Sequence, residues 1–584
     1  MKISKHIIKG VAVAMVAMSS VSCNSLFDDA PLNTLSEETT WDNTLILDEY
    51  VNTWYRGMGC GFDIFVFTMS QFSTLSRYYL PWFGDQITVG KNDWFNSGYG
   101  DILKDNMTAV QQWGKTTWTE YYTNIQYINT FFANADKVTN EKQKQRVLGE
   151  AHFFRAYYYY MLWRRFGGAL LIDHVIDPLV KVETTPRASY TEMLKFIVAD
   201  AEEAMKYLPE KYDAVDAGRV TKGTAAMLKA KAYFWAASET FQNKDKEYLG
   251  FTDNQSEELL KQAKKAYEDL FALGVYSLIP IKSTTQDGIK NEYRSIFLTK
   301  NSVESILEIQ HSDDGDYDMK YGHKLDREAA PPSLTGTTAA YTPTHNHAME
   351  YGMRNGANYD DQHPFDNRDY RFYANILYDG CTFRGQTLDI RYTNGKAGKD
   401  LTTYTSSTSD AVTRTGYYLG KFVDESQTID DNDTYASKQN FIIWRLAEAI
   451  LDYAEVAYRL GDVELACKQV NLIRSRVHMD EYDTVTLDQI LNERRVELAF
   501  EETVYWDHFR LGNAMEKLNG SKNPLKTITV NYTTSINKLE YKVTNMNRFP
   551  NRVRVFSEKD YYFPIPWDEV RAQGIEQNPG WDEV

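Results

Sequence analysis

Apolar residues recur along much of this chain with the period of an α-helix, and this pattern constrains the fold more than any other feature. Within residues 146–166, the positions i, i+3, i+7 and i+10 are occupied by Ala151, Phe154, Tyr158 and Met161. Two glycines follow at 167 and 168 and end the pattern. The same spacing recurs in 221–238, where Thr221 is a candidate cap. Further helices are predicted at about 109–136, 189–207, 256–272, 463–477 and 487–517.

A third clear pattern covers residues 441–460 and ends at Gly461. One face is apolar and carries Ile443, Ala447, Ile450, Ala454 and Ala457. The opposite face is charged and carries Arg445, Asp452, Glu455 and Arg459. Small residues on the apolar faces let antiparallel helices approach closely, as stacked helix–turn–helix repeats require. Because no strict 34-residue period is visible, the repeats are predicted to be divergent.

The stretch between residues 278 and 440 differs from its flanks. It is rich in Gly, Asn, Asp, Thr and Tyr, and 331–360 and 393–437 lack a helical period. Residues 307–310 (LEIQ) form one short run typical of a strand. A long irregular stretch between helical segments is more typical of functional loops than of filler, so we expect a loop-rich insertion here.

The first 23 residues follow the plan of a secretory signal. Three lysines, at 2, 5 and 9, precede a short apolar run at 11–18, and small residues at 20–22 lead to Cys23. A cysteine at the expected cleavage point predicts a bacterial lipoprotein in which residues 1–22 are removed and Cys23 takes a lipid. The other interpretation is an ordinary signal with a chance cysteine, and Ser20 stands where Leu is usual. Residues 23–40 are predicted to be a polar tether.

Composition excludes several classes of function. The formal charge is −17, from 64 basic and 81 acidic residues, without a basic stripe for nucleic acid or anionic lipid. No later stretch approaches 18 consecutive apolar residues. Besides Cys23, the cysteines are Cys60, Cys381 and Cys467, which leave one disulfide open but exclude a disulfide-stapled fold and the usual zinc spacings. The 41 Tyr, 28 Phe and 12 Trp are suited to stacking on sugar rings where they occur in loops.

An ordered series of segments resembles the SusD/RagB family of outer-membrane nutrient-binding lipoproteins. Each segment alone is weakly specific, and the combination in this order is distinctive. The segments are 151–159 (AHFFRAYYY), 166–172 (FGGALLI), 218–223 (GRVTKG), 304–310 (ESILEIQ), 369–373 (DYRFY), 445–448 (RLAE), 453–455 (YAE), 492–501 (NERRVELAFE), 564–566 (PIP) and 577–580 (QNPG).

The resemblance implies a mostly α-helical fold on a scaffold of four tetratricopeptide-like helix pairs. One domain, 41–584, would hold these helices mainly at about 109–272 and 441–518, with a ligand-binding region at about 278–440. It also implies a surface lipoprotein, without cofactor or catalysis, that sits as a lid over a SusC-like TonB-dependent transporter. Most known relatives take oligosaccharides, and some take peptides.

Two clusters are candidate ligand contacts. The first lies in the loop-like stretch 77–100 and comprises Arg77, Trp82, Asp85, Asn92 and Trp94. Here aromatic faces lie beside groups that can bind sugar hydroxyls. The alternative is that the tryptophans pack on the first helices. The second cluster, Tyr317 and Tyr321, follows the 307–310 run, and its position resembles that of a stacking aromatic in starch-binding relatives; ordinary loop packing is the alternative.

Other charged groups favour structural roles over chemical ones. Asp314, Asp316 and Asp318 alternate as in a calcium loop, but Met319 replaces the required Gly and Leu325 the final Glu. The acidic run at Asp430, Asp431 and Asp433 is equally incomplete, and solvated carboxylates are expected at both places. His345 and His347 lie on one side of a segment expected to be extended, and loop polarity explains them as well as a metal does.

Glu497, Glu501 and Glu502 are the only carboxylates that suggest a glycosidase pair. They are predicted to share a helix with Arg494 and Arg495, so ion pairing on its surface or to a neighbouring helix is the simpler interpretation. The GxSxG, HExxH and phosphate-loop motifs are missing from the sequence. The sequence therefore predicts a glycan-capturing surface lipoprotein; a peptide-capturing member of the same family and a surface glycoside hydrolase are the alternatives.

Overall fold

Helices dominate the structure, and short strands connect them. The computed structural model describes residues 37–58, 61–62, 80–90, 102–105, 107–176, 184–312, 322–334, 339, 341–402, 412–427, 429, 436–546 and 553–583. In the first half of the chain the helices are α1 (Glu37–Asp42), α2 (Thr44–Arg56), α3 (Met107–Asn134), α4 (Glu141–Phe166), α5 (Tyr190–Tyr207), α6 (Lys222–Ala236), α7 (Ser256–Ala272) and α8 (Gln286–Leu298). Strand β1 (Ile87–Thr88) precedes α3, and β2 (Ser305–Ile309) follows α8.

The insertion contains only short elements, as expected, apart from α8. They are α9 (Leu325–Ala329), β3 (Thr342–Pro343), α10 (His345–Ala348), α11 (Tyr370–Asn375), β4 (Ile376–Leu377), β5 (Thr382–Phe383), β6 (Gln386–Thr387), β7 (Arg391–Thr393), β8 (Lys396–Ala397) and β9 (Tyr418–Leu419). The prediction that 278–440 is not helical was wrong for residues 286–298, which form α8. Its buried residues Ile289, Tyr293, Ile296 and Phe297 have helical spacing.

The last third returns to helices and contains one β-hairpin before its final helix. Its elements are β10 (Phe441–Arg445), α12 (Leu446–Arg459), α13 (Val463–Arg476), α14 (Leu487–Glu497), α15 (Thr503–Arg510), α16 (Ala514–Lys517), β11 (Lys526–Thr533), β12 (Lys538–Asn545) and α17 (Trp567–Gln573). The described helices hold no segment long and apolar enough to cross a membrane. Cys381 and Cys467 are both free thiols, whereas Cys23 and Cys60 lie outside the described residues.

Local sequence sets most helix ends where the patterns place them. Ser189 caps α5 through a reciprocal capping box with Glu192, and Thr221 caps α6 in the same way with Thr224. Asn140 accepts the N–H of Gln143 at the start of α4. The chain leaves α4 at Gly167, whose φ of +72° suits glycine.

Successive helices pack on one another, which confirms the predicted helix-pair scaffold. Helix α4 contacts α3 and α5, α6 contacts α5 and α7, and α12 contacts α13. The contact between α7 and α12 joins the two helical parts across the insertion. From Ala151 onward, the side chains of α4 are buried on nearly all faces rather than along one stripe.

Two helices have bounds that differ from the predicted ones. Residues 441–445 form β10, which pairs antiparallel with β2, so α12 begins only at Leu446. The predicted helix 487–517 is three helices, because Phe500 and Glu502 have positive φ values of 67° and 64° between α14 and α15. The predicted tether, 23–40, extends too far, because α1 begins at Glu37.

A buried ion network holds the insertion against the helices. Arg445, at the end of β10, donates to Glu501 at 2.7 Å and to Glu304 and Glu497 at 2.8 Å. Arg371 of α11 donates to Glu497 at 3.0 Å, so the same carboxylate faces the insertion. Burial alone disfavours the charged guanidinium, but the carboxylates outweigh it and raise the pKa of Arg445 well above its usual value.

This network corrects the prediction for the three glutamates. Glu501 and Glu502 lie beyond the end of α14, and all three are buried rather than on a helix surface. Neighbours in sequence are not their partners: Arg494 instead pairs with Asp452 and Asp507. Pairs within one helix are therefore not formed, whereas the alternative of pairing to a neighbouring helix holds for Glu497, which pairs with Arg476 of α13.

Glu502 joins two distant points of the N-terminal part. Its Oε1 accepts the N–H of Gly61 at 3.1 Å, and its carboxylate also accepts the N–H of Leu80. Burial raises the pKa of Glu502 to about 7, although these bonds and the charges of Arg165 and Arg164 oppose the rise. The carboxyl group thus fixes the chain on both sides of residues 63–79.

Replacing Arg445 with methionine is expected to lower the free energy of unfolding by about 3–5 kcal/mol, because buried carboxylates lose their partner. Urea unfolding measures the loss. The matched control is Arg571→Met, since Arg571 is half-exposed and pairs with Asp568 at 2.7 Å; this variant should be nearly neutral. Equal stabilities of the two variants would contradict the role given to Arg445.

Between about pH 4.5 and 7, the native protein retains the Glu502 proton that the unfolded chain has lost. The free energy of unfolding should therefore fall as pH rises through this window, by up to about 3 kcal/mol from this group. In Glu502→Gln that part of the decrease should vanish, while the exposed Glu516→Gln control keeps it. Urea unfolding at several pH values tests this, and identical pH profiles of Glu502→Gln and the unaltered protein would refute it.

Candidate functional site

Most predicted ligand contacts fall outside the described part of the chain. Arg77, Asn92, Trp94, Tyr317 and Tyr321 lie there, as do the acidic runs at 314–318 and 430–433. Their proposed contacts therefore stay predictions. Trp82 and Asp85 are described, and the segment that carries them, 80–90, shows how the loops are supported.

Trp82 is a buried packing residue in this structure. It lies in a 3₁₀ turn, Leu80–Phe83, and its side chain is only 5% exposed. Its ring lies 5.3 Å from that of Tyr341, in the insertion, with the planes inclined by 38°. The packing observed for Trp82 includes a partner from the insertion, and its ligand contact stays a prediction.

Asp85 belongs to a buried polar chain. Arg495 donates to its Oδ1 at 2.9 Å, and His508 Nε2 lies 3.5 Å from the same oxygen. Arg495 also donates to Glu350 at 2.7 Å. Burial by itself raises the pKa of Asp85, but Arg495 and His508 hold it well below its usual range. The carboxylate is therefore occupied by protein partners.

Gln86 and β1 tie the same segment to the insertion and to α14. Gln86 donates to the carbonyl of Arg495 at 3.1 Å and accepts the N–H of Phe500 at 3.3 Å. Strand β1 pairs antiparallel with β3, with Ile87 opposite Pro343. These bonds leave little freedom to residues 85–88, so the segment forms a rigid base.

Three chain segments converge where that base ends. Gly90 donates to the carbonyl of Ala339 at 2.9 Å, and Arg414 donates to the carbonyl of Gly90 at 3.4 Å. A Cβ on Gly90 would lie 2.5 Å from the oxygen of Ala339 and 2.6 Å from that of Val412. Only glycine fits so close an approach. Residues 91–100, which contain Asn92 and Trp94, continue from this point.

A second base supports the stretch with Tyr317 and Tyr321. His323 and Ser437 exchange backbone hydrogen bonds of 2.8 and 3.1 Å. The ring of His323 lies 4.6 Å from Phe62 and 4.6 Å from His311. Burial, and then the neighbouring His311, hold the pKa of His323 well below its usual range, so the ring is neutral. Phe62 links this base to the N-terminal part.

His345 and His347 are structural residues. They lie in α10, not in the extended segment that was predicted, and both are buried. His345 Nδ1 is 3.0 Å from the hydroxyl of Tyr417, and His347 Nε2 is 3.0 Å from that of Tyr351. Among the described residues, no group of three or more His, Cys, Asp or Glu can hold a metal ion.

Sequence reasoning missed the partners that fix this region. Asp85 and Arg495 are 410 residues apart in the chain. Residues 331–360, which supply Tyr341 and β3, have no periodicity to mark them. The one available signal was the concentration of charged residues around 492–501, which in the structure contacts Gln86 through Arg495 and Phe500.

Comparisons with known proteins agree with this architecture. Residues 303–581 match the model of the SusD family, and residues 63–234 match a model described as "Starch-binding associating with outer membrane". SusD-like protein P2 of Formosa agariphila is 24% identical over 588 residues, which cover 98% of this chain and 99% of that protein.

Solved structures share the fold. A SusD-like protein from Bacteroides fragilis superposes with a TM-score of 0.73 at 24% identity, covering 95% of this chain and all of the other. Surface glycan-binding protein A from Bacteroides thetaiotaomicron, solved in complex with laminarihexaose, gives a TM-score of 0.59 at 18% identity, covering 92% of this chain and 99% of the other. These likenesses show a shared fold, and the two family models, which cover residues 63–234 and 303–581, show that the chain belongs to the SusD family.

Proposed function

We propose that this protein captures oligosaccharide at the cell surface and passes it to a SusC-like TonB-dependent transporter. The match of residues 63–234 to a starch-binding, outer-membrane-associated family model carries the proposal, because this range contains Arg77, Asn92 and Trp94. The likeness in fold to a surface glycan-binding protein solved with laminarihexaose supports the same ligand class.

The two loop bases are suited to sugar binding. The base at Gly90 and the base at His323 and Ser437 are held by backbone hydrogen bonds and buried rings. Side chains on a rigid base lose less freedom when a ligand binds. Trp94 and Tyr321, which continue from these bases, would offer flat apolar faces to sugar rings. We therefore assign the ligand contacts to Arg77, Asn92, Trp94, Tyr317 and Tyr321.

Binding without hydrolysis agrees with the environment of the carboxylates. Glu497 is completely buried and touches Arg445, Arg371 and Arg476. A glycosidase needs two carboxyl groups that flank the scissile bond, with one free to hold a proton. The guanidinium groups outweigh burial and keep the pKa of Glu497 well below its usual range, so it is a poor proton donor. The Glu502 carboxyl, whose pKa is raised to about 7, is buried and accepts the N–H groups of Gly61 and Leu80, so it is engaged by the protein itself.

A lipid on Cys23 would place the protein beside its transporter. Residues 1–22 are proposed to be the signal and residues 23–36 the link from the lipid to α1. Confinement to one membrane surface raises the effective concentration of the two partners, so a weak contact between them is enough for transfer.

Alanine at Trp94 or Tyr321 is expected to weaken glycan binding by about tenfold, since each removes a stacking face. Calorimetry and affinity electrophoresis with laminarin, starch and a peptide mixture measure this, and binding of the unaltered protein should be weak, roughly micromolar to millimolar. The matched control is Tyr233→Ala, a half-buried tyrosine on the scaffold helix α6.

Unchanged glycan binding in both variants would reject these contacts. Binding of peptides but not glycans would favour the peptide alternative within the same family. Release of reducing ends from a bound polysaccharide would identify a hydrolase instead.

Cys23→Ala is expected to abolish fatty-acid labelling and to release the exported protein from the membrane fraction, because it removes the only proposed attachment. Globomycin should cause the precursor of the unaltered protein to accumulate. Cys60→Ala, the control, should stay labelled and membrane-bound. Normal export of Cys23→Ala with unchanged membrane retention would refute the anchor.

A further inference from the structure

The four-stranded sheet has one long edge strand. Its strand order is β12-β11-β7-β8, and among the described residues no other strand pairs with the outer side of β12. Strand β12 is eight residues long, and most of its side chains are exposed. An edge of this length offers unpaired backbone groups to another strand.

The register fixes which backbone groups face outward. Met546 donates to the carbonyl of Leu525 at 2.7 Å, so this pair is hydrogen-bonded across the hairpin. Hydrogen-bonded and non-hydrogen-bonded pairs alternate along an antiparallel ladder. With Thr544 opposite Thr527 and Lys542 opposite Thr529, the groups of 542 and 544 also face β11. The N–H and C=O groups of Leu539, Tyr541 and Val543 therefore point to the free edge.

The side chains of this edge are complementary to themselves. The sequence from 538 to 544 is KLEYKVT. In an antiparallel pair of two copies centred on Tyr541, Glu540 of each copy lies opposite Lys542 of the other. The apolar residues Leu539 and Val543 also lie opposite each other, and the two Tyr541 rings meet at the axis. Opposite charges and apolar or aromatic side chains are favourable cross-strand pairs.

The two neighbouring symmetric registers, centred on Glu540 or Lys542, bring like charges together. Centring on Glu540 places the two Glu540 side chains together and Lys538 opposite Lys542. Centring on Lys542 pairs Lys542 with itself. A shift by half a residue would bring outward-facing backbone groups opposite inward-facing ones. Centring on Leu539 also places Lys538 opposite Glu540 but overlaps only residues 538–540 of β12, and centring on Val543 overlaps only 541–545 and places Lys542 opposite Thr544. The register centred on Tyr541 overlaps 538–544, the longest stretch of these three, and it combines opposite charges with outward-facing backbone groups on both copies.

We propose that two copies of this chain associate through β12, in an antiparallel pair centred on Tyr541, to form a continuous eight-stranded sheet. The pair would cover Val543, an apolar side chain that is 45% exposed. In each copy Lys538 and Glu540 are 2.8 Å apart and half-exposed. The dimer would exchange these two pairs, one in each strand, for two pairs between the copies. A symmetric contact between two copies is the commonest form of oligomer.

The contact between the edges is small, so the association should be weak and concentration-dependent. Its charge pattern allows a test in which the variants restore one another. Glu540→Lys leaves only lysines at 540 and 542, and Lys542→Glu leaves only glutamates. Each variant alone would place like charges opposite, whereas a mixed pair would again place lysine opposite glutamate at both positions.

Sedimentation of the full chain in detergent, over a range of concentrations, measures this association. The unaltered chain should dimerise, each single variant should dimerise about tenfold more weakly, and an equimolar mixture should regain the original association. The control is Glu257→Lys, whose side chain is exposed on α7; it should behave like the unaltered chain.

A monomeric unaltered chain across the range would overturn the proposal, and so would a dimer that neither variant weakens. Loss in both variants without recovery in the mixture would also overturn it, because the effect would then lie in the hairpin itself or in a contact with a different partner.

Discussion

The guanidinium of Arg445 is the interaction on which the arrangement of this protein depends. It lies where β10 passes into α12. It contacts the carboxylate of Glu304, which directly precedes β2, and those of Glu497 and Glu501, at the end of α14 and just beyond it. Glu497 extends the network to Arg371 in the insertion. Because a buried charge is costly unless it is paired in good geometry, these elements fit together in very few ways. The network therefore fixes the insertion relative to the helices.

The residues that follow α14 also hold the N-terminal segments that lead to the loop bases. After α14 the chain changes direction at Phe500 and Glu502, which both have left-handed backbone conformations. The backbone N–H of Phe500 and the carboxyl group of Glu502 then face the N-terminal part. Phe500 binds Gln86, and Glu502 binds the chain at Gly61 and Leu80. The family's helical scaffold is thus joined to its loops by buried polar groups.

Glycan capture and self-association would use different surfaces of one molecule. The predicted sugar contacts continue from the bases at Gly90 and His323. Strand β12 instead lies at the edge of a sheet whose inner face packs on the insertion, where Tyr541 contacts Phe365 with ring centres 5.6 Å apart. The outward-facing backbone groups of that edge, at Leu539, Tyr541 and Val543, belong to neither loop base.

The sequence by itself determined the helix pairs, because their signals are local: 3.6-residue periodicity, caps such as Ser189 and Thr221, and stops such as Gly167. The ordered motifs, each a short local segment, also identified the family. Only the tertiary structure decided that 441–445 is a strand, that the helix from 487 breaks, and that Trp82 and Asp85 are buried. Each of these depends on partners far away in the chain, such as Arg495 for Asp85, and burial and charge pairing with distant residues leave no periodic trace in a sequence.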